Sequence, residues 1–333
     1  MPTKIAINGF GRIGRLALRQ LINRNDIEIV AINNRSELPT MAHLFKYDSA
    51  QGKFEKEIKI EGDHLVVDGK KILRTSESDP ANLPWGKLGV EIVLESTGIF
   101  LSKEKAAKHL EAGAKKVVLS APPKGDGIKS IVLGVNEGTI SGDDDIISNS
   151  SCTTNCLAPM VKVLDDLAGV ESGFLSTIHA YTADQRTVDG SHKDLRRARA
   201  AAANIIPTST GAAKAVGKVL PHLEGALKGN AYRVPVVDGS ITDFVCNVKK
   251  EVSEEEINQA FKKAAGGNLK GIIEYNEDPI VSSDIIGNTH SCIFEAPLTM
   301  STQKQVKIVG WYDNEMGYAT RSVDLIQYID QKF

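Results

Sequence analysis

A cysteine at position 152 lies within a polar, hydroxyl-rich stretch, residues 150–156, whose composition suits a reactive thiol. Apolar residues follow at roughly helical spacing, which predicts that Cys152 lies at a helix N-terminus. The unpaired amides and the dipole of such a terminus favour the thiolate, the nucleophilic form. A buried, unreactive cysteine is the alternative interpretation, and it applies more strongly to Cys156, one turn later. A metal or redox pair of these two is conceivable, but Cys246 and Cys292 have no ligand-like spacing, so we expect no metal site.

A histidine lies on a predicted strand, residues 176–182, in the second half of the chain. Strand alternation places Thr177, His179 and Tyr181 on one face. A single histidine on a strand is often only a hydrogen-bonded structural residue. Paired with an activated cysteine, His179 becomes a candidate general base, because imidazole titrates near the working pH. Cys152 and His179 together therefore predict nucleophilic catalysis.

The N-terminal segment carries an independent signal, a Gly-x-Gly-x-x-Gly pattern formed by Gly9, Gly11 and Gly14. A short apolar strand precedes it, a helical stretch follows, and a second strand at residues 27–32 completes a βαβ unit. The glycines of such a unit permit a tight turn and close approach to a pyrophosphate, which the helix N-terminus binds. An ordinary strand–turn–helix is the alternative, but the context predicts a dinucleotide site.

Two further segments of the second half have the composition of anion sites. Residues 193–199 are locally basic, with a solvated loop or a subunit contact as alternatives. Residues 207–211 offer hydroxyls and amides directly before a helical run, in the manner of phosphate-binding segments.

The composition limits the class of protein. With 333 residues, 41% of them hydrophobic, the chain can form two domains, and its net charge of −2 gives no reason to expect a nucleic-acid partner. No apolar run approaches the length of a membrane span, and the first residues enter a strand without an apolar signal region. Four cysteines do not form a disulfide framework in a chain of this length. We therefore expect a cytoplasmic protein without a membrane partner.

The elements that must position these residues fall into two halves. Short strands alternate with helices over residues 1–150, which predicts an α/β domain with a Rossmann-type, doubly wound parallel sheet. Longer strands over residues 151–315 predict an α+β catalytic domain with a mainly antiparallel sheet. The expected strands there are residues 173–181, 232–237, 241–250 and 306–312. An amphipathic segment near the end of the chain predicts a C-terminal helix.

Taken together, these motifs resemble those of the phosphorylating glyceraldehyde-3-phosphate dehydrogenases. The matching segments are residues 8–15, 151–156, 179–182, 207–214 and 311–315. The resemblance implies a cytoplasmic oxidoreductase of glycolysis or gluconeogenesis that assembles as a homotetramer. It also implies that the C-terminal helix, residues 316–333, packs back on the nucleotide domain, and that residues 181–203 lie near a neighbouring subunit's cofactor.

The resemblance also implies a mechanism. Cys152 would add as a thiolate to the aldehyde of glyceraldehyde 3-phosphate, and His179 would take a proton as hydride leaves for the nicotinamide. Inorganic phosphate would then release the thioester as 1,3-bisphosphoglycerate, with the amide of Cys152 and the side chain of His179 stabilising the oxyanion. By the same match, Thr182 and Arg233 would hold the substrate phosphate, and Ser151, Thr153, Thr210 and Gly211 the attacking phosphate.

For the cofactor, NADP or NAD, the resemblance implies contacts from Gly9, Gly11, Arg12, Ile13, Gly14, Asn34, Arg35, Ser78, Thr97, Ser120, Ser191 and Asn314. Asn34 stands where NAD-using members usually carry an aspartate that accepts from the ribose hydroxyls. Its loss removes repulsion against a 2′-phosphate, with which Arg35 is able to pair. Ser191 resembles the serine of photosynthetic NADP-using members, whereas Ser78 replaces an arginine that can assist NADP binding. We expect NADP use to be favoured over strict NAD use.

Three other functions compete with this one. Erythrose-4-phosphate dehydrogenase shares the cysteine and the histidine but can release a free acid. A nucleotide-binding or RNA-binding module without catalysis is disfavoured by the intact Cys152 and His179 pair and by the absence of net basic charge. A purely structural assembly role is the third.

Overall fold

The computed structural model describes residues 2–333, which form two compact units. The first comprises the described residues up to Ile131 together with Gly138–Ser150 and Ala319–Phe333. The second comprises Val132–Glu137 and Ser151–Tyr318.

The first unit is built on a mostly parallel sheet. Its nine strands among the described residues are β1 (Thr3–Asn8), β2 (Ile27–Asn33), β3 (Ile58–Glu61), β4 (His64–Val67), β5 (Lys70–Thr75), β6 (Ile92–Glu95), β7 (Lys116–Leu119), β8 (Lys129–Ser130) and β9 (Ile146–Ser148). They lie in the order β3-β4-β5-β2-β1-β6-β7-β9-β8. Its helices are α1 (Arg12–Leu21), α2 (Leu38–Lys46), α3 (Trp85–Leu88) and α4 (Lys103–Glu111). The chain order reverses at β1, whose parallel neighbours are β2 and β6, and sheets of this kind bind ligands at such a switch point.

The second unit is built on a mainly antiparallel sheet. Its strands are β10 (Val170–Ala180), β11 (Ile206–Ser209), β12 (Leu227–Val234), β13 (Ser240–Val248), β14 (Ile273–Asn276), β15 (Cys292–Glu295), β16 (Met300–Thr302) and β17 (Gln305–Tyr312). They lie in the order β11-β12-β10-β13-β17-β15-β14, with β16 paired to β17. The helices of this unit are α5 (Cys152–Ala168), α6 (Ala212–Val219) and α7 (Glu254–Gly266). Helix α8 (Met316–Lys332) belongs to the first unit from Ala319 onwards. The predicted fold class is therefore confirmed.

Apolar spacing explains why α5 forms and what it covers. Its residues Leu157, Met160, Val161 and Leu164 are fully buried and belong to the core between the sheet and helices α5, α6 and α7. The opposite face of the sheet carries more exposed side chains, of which Phe174 on β10 is 69% exposed. Alternation along β10 thus fixes which side chains join the core and which stay on the surface.

Sequence patterns missed one part of this sheet. The antiparallel ribbon β3–β5 was not expected, although β3 alternates isoleucine with charged residues, because its strands are short and β3 is largely exposed. The apolar run at residues 131–133 predicts a strand, but β8 ends at Ser130. The amide of Ile131 still donates to the carbonyl of Ser148 on β9 at 2.8 Å, and Ile131 and Val132 are fully buried.

No helix within residues 2–333 is long and apolar enough to cross a membrane.

Candidate active site

Cys152 is the first residue of α5, as the sequence predicted. Ser151 caps this helix, with its hydroxyl accepting from the amide of Thr154 at 3.1 Å. This capping bond is one reason why the helix starts here, because it satisfies an amide that the helix leaves unpaired. The thiol is therefore held at the N-terminal end of a 17-residue helix.

His179 faces this thiol from β10. Its Nε2 lies 3.4 Å from Cys152 Sγ, and its Nδ1 lies 2.7 Å from the carbonyl oxygen of Ala180. A carbonyl can only accept, so the Nδ1 proton donates to it and the lone pair of Nε2 faces the sulfur. The Ala180 contact favours the tautomer that a base for Cys152 requires, whereas the guanidinium of Arg233, which can only donate, contacts the same Nδ1.

Burial sets the charge states of the pair. It raises the pKa of the Cys152 thiol, and the positive charge of Arg233 and hydrogen bonding to Thr153 act in the opposite direction. Burial, together with the charge of Arg233, lowers the pKa of His179 to about 3. Both shifts favour the neutral thiol and neutral imidazole. Burial therefore opposes the preference for the thiolate that the helix terminus gives.

Arg233 lies beside both residues. The parallel pairing of β10 with β12 places it opposite His179 in register. Its Nη1 contacts His179 Nδ1 and donates to the Ala180 carbonyl at 3.1 Å, while its Nε is buried without a hydrogen-bond partner among the described residues. A buried guanidinium nitrogen without a partner points to a ligand that accepts from it.

The other predicted phosphate residues lie nearby in sequence or on adjacent elements, and most of their polar groups have protein partners. Thr153 Oγ1 lies 2.9 Å from the hydroxyl of Tyr312, and the amide of Thr182 donates to Gln185 Oε1 at 3.1 Å. Thr210 Oγ1 accepts from the amide of Ala212 at 3.2 Å, next to Gly211, which precedes α6.

Sequence reasoning missed two side-chain partners in this site, Tyr312 and Ser240. The hydroxyl of Tyr312 also lies 2.8 Å from Thr177 Oγ1, and its ring meets that of His179 edge-on with centroids 5.8 Å apart. Ser240 Oγ accepts from the amide of Ala180 at 3.1 Å and donates to Asn314 Oδ1 at 2.6 Å. Thr177 was already placed on the His179 face by alternation, but the partners from β13 and β17 required the sheet order.

A separate cleft of about 390 Å³ lies in the first unit. It is lined by Asn8, Gly9, Phe10, Gly11, Asn33, Asn34, Arg35, Glu77, Ser78, Ser96, Thr97, Ile99 and Phe100. Six of the predicted cofactor residues are among these: Gly9, Gly11, Asn34, Arg35, Ser78 and Thr97. The other six, Arg12, Ile13, Gly14, Ser120, Ser191 and Asn314, do not line it.

The fingerprint glycines have different physical roles. Gly9 has φ +96°, and a Cβ there would lie 2.7 Å from the amide nitrogen of Thr97. A Cβ on Gly14 would lie 2.2 Å from the carbonyl oxygen of Gly9, whereas one on Gly11 would meet no protein atom within 4 Å. Gly9 and Gly14 therefore permit the turn and the helix packing, and Gly11 leaves the cleft open.

Four of the predicted cofactor residues have the following surroundings. Arg12 pairs with Asp48, whose Oδ1 accepts from Nη2 at 3.0 Å. Arg35 and Ser78 are exposed where they line the cleft. Ser191 is exposed in the second unit, where its carbonyl accepts from Arg186. Within residues 2–333 no group of three or more histidine, cysteine, aspartate or glutamate side chains is arranged to hold a metal ion.

Comparison with known proteins places this geometry in context. Residues 3–103 match the family model described as the NAD binding domain of glyceraldehyde 3-phosphate dehydrogenase, and residues 151–314 match its C-terminal domain. The chain is 53% identical to glyceraldehyde-3-phosphate dehydrogenase 1 of Bacillus subtilis over 100% of its own length and 99% of that protein's. It is 54% identical to the glyceraldehyde-3-phosphate dehydrogenase of Geobacillus stearothermophilus, over 100% of its own length and 99% of that protein's. It is 55% identical to the glyceraldehyde-3-phosphate dehydrogenase of Streptomyces coelicolor, over 99% of each chain.

Proposed function

The chain belongs to the glyceraldehyde-3-phosphate dehydrogenase family, and on that premise we propose that it oxidises glyceraldehyde 3-phosphate to 1,3-bisphosphoglycerate with a nicotinamide cofactor and inorganic phosphate, reversibly. The observation that carries the proposal is the 3.4 Å separation of Cys152 Sγ and His179 Nε2 at the start of α5. A nucleophile within reach of a base is the arrangement that covalent catalysis requires.

The chain's own residues account for the proton transfers. Cys152 Sγ bonds to the aldehyde carbon while its proton passes through His179 Nε2 to the carbonyl oxygen, which gives a hemithioacetal. His179 Nε2 then takes the hydroxyl proton as hydride leaves, which gives a thioester; the bound cofactor supplies the hydride acceptor. A phosphate oxygen attacks the thioester carbon, the C–S bond breaks, and Cys152 departs as a thiolate. The amide of Cys152 and the imidazole of His179 stabilise the oxyanion.

The anion sites follow from the same geometry. Arg233 holds the substrate phosphate together with Thr182, and the buried, unpartnered Nε of Arg233 supports this role. Gly211 and Thr210, directly before α6, hold the attacking phosphate with Ser151 and Thr153. Because the hydroxyls of Ser151 and Thr153 bond to Thr154 and Tyr312, contacts from this pair need backbone amides or a rotated hydroxyl.

The cleft of the first unit holds the cofactor. The open space at Gly11 and the absence of a Cβ at Gly9 fit a pyrophosphate on the N-terminus of α1, and Arg12, Ile13 and Gly14 form the first turn of that helix. Thr97, after β6, lines the cleft as part of its wall, and Ser120 contributes from the end of β7. Asn314, with its Oδ1 already occupied by Ser240, presents its amide NH₂ to the nicotinamide carboxamide.

NADP is accepted in preference to strict NAD use. Asn34 and the exposed Arg35 both line the cleft, so a 2′-phosphate meets a neutral side chain and a cation there instead of a carboxylate. Ser78 and Ser191 adjust this preference from the cleft edge and from a neighbouring subunit.

The protein acts as a cytoplasmic homotetramer. Residues 1–150 bind the nucleotide, with the C-terminal segment 316–333 packed on them, and residues 151–315 carry the catalytic groups. Exposed apolar side chains of the second unit support assembly: Phe174 is 69% exposed, and Val188, Leu195 and Ile205 are 73%, 82% and 68% exposed.

Initial rates of cofactor reduction test the function. We expect oxidation of glyceraldehyde 3-phosphate to depend on inorganic phosphate, and Cys152→Ser to lose that rate while still binding the cofactor. Oxidation that is equally fast without phosphate, with release of a free acid, would instead indicate the erythrose-4-phosphate dehydrogenase type of reaction. The compared relatives do not favour that alternative.

A further inference from the structure

A buried polar network in the first unit is not used by the mechanism above. Glu95 at the end of β6 and His109 in the last turn of α4 both have 0% exposure, and Trp85 at the start of α3 is equally buried. Burying a carboxylate and an imidazole is costly unless every polar atom is hydrogen-bonded. Such a pair needs a reason beyond filling the core.

Hydrogen-bond chemistry fixes the protons of this network. The indole Nε1 of Trp85 lies 3.0 Å from His109 Nδ1, and an indole nitrogen can only donate. Nδ1 is therefore the acceptor, and the ring proton is on Nε2, which donates to Glu95 Oε2 at 3.1 Å. His109 is a neutral imidazole that links Trp85 to Glu95.

Glu95 is an acceptor in each of its other contacts. Asn8 Nδ2 donates to Oε2 at 2.5 Å, and the amide of Thr97 donates to Oε1 at 2.7 Å. The hydroxyl of Thr97 accepts from the amide of Ile99 at 3.1 Å and therefore donates to Oε1. With these three donors and His109, the group is a carboxylate whose two oxygens are fully occupied.

Both groups that Glu95 holds line the nucleotide cleft. Asn8 and Thr97 are among its lining residues, and so are Asn33, whose Nδ2 donates to Asn8 Oδ1 at 2.7 Å, and Phe100. Phe100 meets the His109 ring edge-on, with centroids 6.3 Å apart. The amide and hydroxyl of Thr97 are both used by Glu95, so they are not available to donate to a ligand.

We propose that Glu95 and His109 are positioning residues of the cofactor site. Glu95 and His109 are not among the residues that line the cleft. They hold Asn8 and Thr97, which do line it, in one fixed arrangement. The proposal rests on the proposed function only in taking the ligand of this cleft to be a nicotinamide dinucleotide. In this role His109 acts through its Nε2–H group, which donates to Glu95. Loss of this donor leaves Glu95 with an unfilled acceptor and frees the loop that contains Thr97.

Two substitutions at position 109 separate this role from simple packing. His109→Gln can place an amide N–H where Nε2–H was but loses the acceptor for Trp85. His109→Asn keeps an acceptor near the Nδ1 position but loses the donor to Glu95. Isothermal titration calorimetry with NAD and NADP gives Kd without turnover, and thermal unfolding reports stability separately.

We expect His109→Asn to raise the cofactor Kd and KM roughly ten-fold, because a buried hydrogen-bonding group is left unsatisfied. Its kcat at saturating cofactor should stay within about two-fold of wild type, since the reacting groups are unchanged. His109→Gln should bind nearly as wild type. Trp85→Phe, which leaves the Nε2–Glu95 bond intact, should do the same.

Equal weakening in His109→Asn and His109→Gln, in proportion to their lost stability, would overturn the proposal, as would an unchanged Kd in His109→Asn. If His109→Asn does not fold, Glu95→Gln and Trp85→Phe decide the matter: the first must weaken cofactor binding and the second must not. A wild-type protein that binds the cofactor but fails to oxidise the aldehyde would refute the proposed function and leave this inference standing.

Discussion

The two ring nitrogens of His179 make separate contacts, one with Cys152 and one with the Ala180 carbonyl. A single substitution can remove the first contact and keep the second. Asparagine at this position can still donate to the Ala180 carbonyl but has no atom where Nε2 faces Cys152. We expect His179→Asn to lower kcat by about 10²–10⁴-fold, which is the usual contribution of a general base. Steady-state rates with saturating phosphate and cofactor measure this, and Tyr312→Phe is the control that keeps the imidazole. A His179→Asn enzyme with near-normal kcat would assign the base elsewhere.

The charge of Arg233 and burial have opposite effects on the pKa of the Cys152 thiol. The positive charge of Arg233 lowers this pKa, which burial raises. Arg233→Leu should therefore raise the thiol pKa further and leave less thiolate at a given pH, so alkylation of Cys152 by iodoacetamide slows several-fold near neutral pH. Arg233→Lys keeps the charge and should alkylate at nearly the wild-type rate. The midpoint of the rate against pH is the measurement; a midpoint that Arg233→Leu does not move would remove the electrostatic role.

The proposed NADP preference depends on two adjacent side chains, Asn34 and Arg35. Asn34→Asp returns a carboxylate to the cleft beside Arg35. We expect kcat/KM with NADP to fall about ten-fold or more, because a carboxylate repels the 2′-phosphate, while the value with NAD rises or stays equal. Arg35→Ala should lower only the NADP value. Comparable efficiency with NADP after both changes would show that neither side chain reads the 2′-phosphate.

At the scale of elements, two glycines of one motif separate helix packing from ligand space. Gly14→Ala places a Cβ 2.2 Å from the Gly9 carbonyl oxygen, so β1 and α1 must move apart. Overpacking of this kind costs about 1–3 kcal/mol, which should appear as a lower Tm. Gly11→Ala meets no protein atom within 4 Å and should keep its Tm but bind the cofactor more weakly, because the methyl enters the cleft. Equal losses of Tm in the two variants would contradict this division.

A carboxyl pair joins the end of β17 to the turn before β13. Asp313 accepts from the amides of Glu315 and Met316 at the start of α8, and Asp238, 2% exposed, lies against it. Burial and the charges of Asp313 and Glu315 raise the pKa of Asp238 to about 9. The folded state therefore keeps a proton that the unfolded state releases above about pH 4.

This proton makes stability depend on pH in a defined direction. Between about pH 4 and pH 9 the folded state binds one more proton, so the free energy of unfolding falls as pH rises through this range. Asp238→Asn has no such proton, and its Tm should fall less than the wild-type Tm between about pH 6 and pH 9. Thermal unfolding across this range measures the difference, with Asp166→Asn on the exposed side of α5 as the control. Parallel curves for wild type and Asp238→Asn would contradict the assignment.

For the whole molecule, the exposed apolar face of the second unit predicts assembly. Light scattering coupled to size exclusion should give about four times the chain mass of 35.9 kDa. Phe174→Glu places a charge on β10 at a side chain that is 69% exposed in the single chain, and it should shift the mass towards smaller species. Lys228→Glu on the exposed side of β12 is the matched control. A monomer in the wild type would refute the tetramer and leave the chemistry untouched.

Local sequence patterns predicted most of the elements that carry the site. The helix at Cys152 and the strand carrying His179 were predicted from apolar spacing and alternation, because each buries one face or stripe. The ribbon β3–β5 was missed although β3 alternates isoleucine with charged residues, because its strands are short and β3 is largely exposed. The spacing of apolar residues reflects burial, so short and exposed strands show little apolar periodicity.

The sequence by itself determined the reactive residue types, the fingerprint glycines and the family, since these depend on short segments whose meaning is local. Only the tertiary structure decided how they act. The sheet order brought Arg233 opposite His179 and Tyr312 onto Thr153 and Thr177, and burial opposes the effect of the helix terminus on the Cys152 thiol. The proton on His109 Nε2 likewise follows from Trp85 and Glu95, which lie 24 and 14 residues away in the chain. Protonation and hydrogen-bond direction depend on neighbours in space, and the chain order does not contain them.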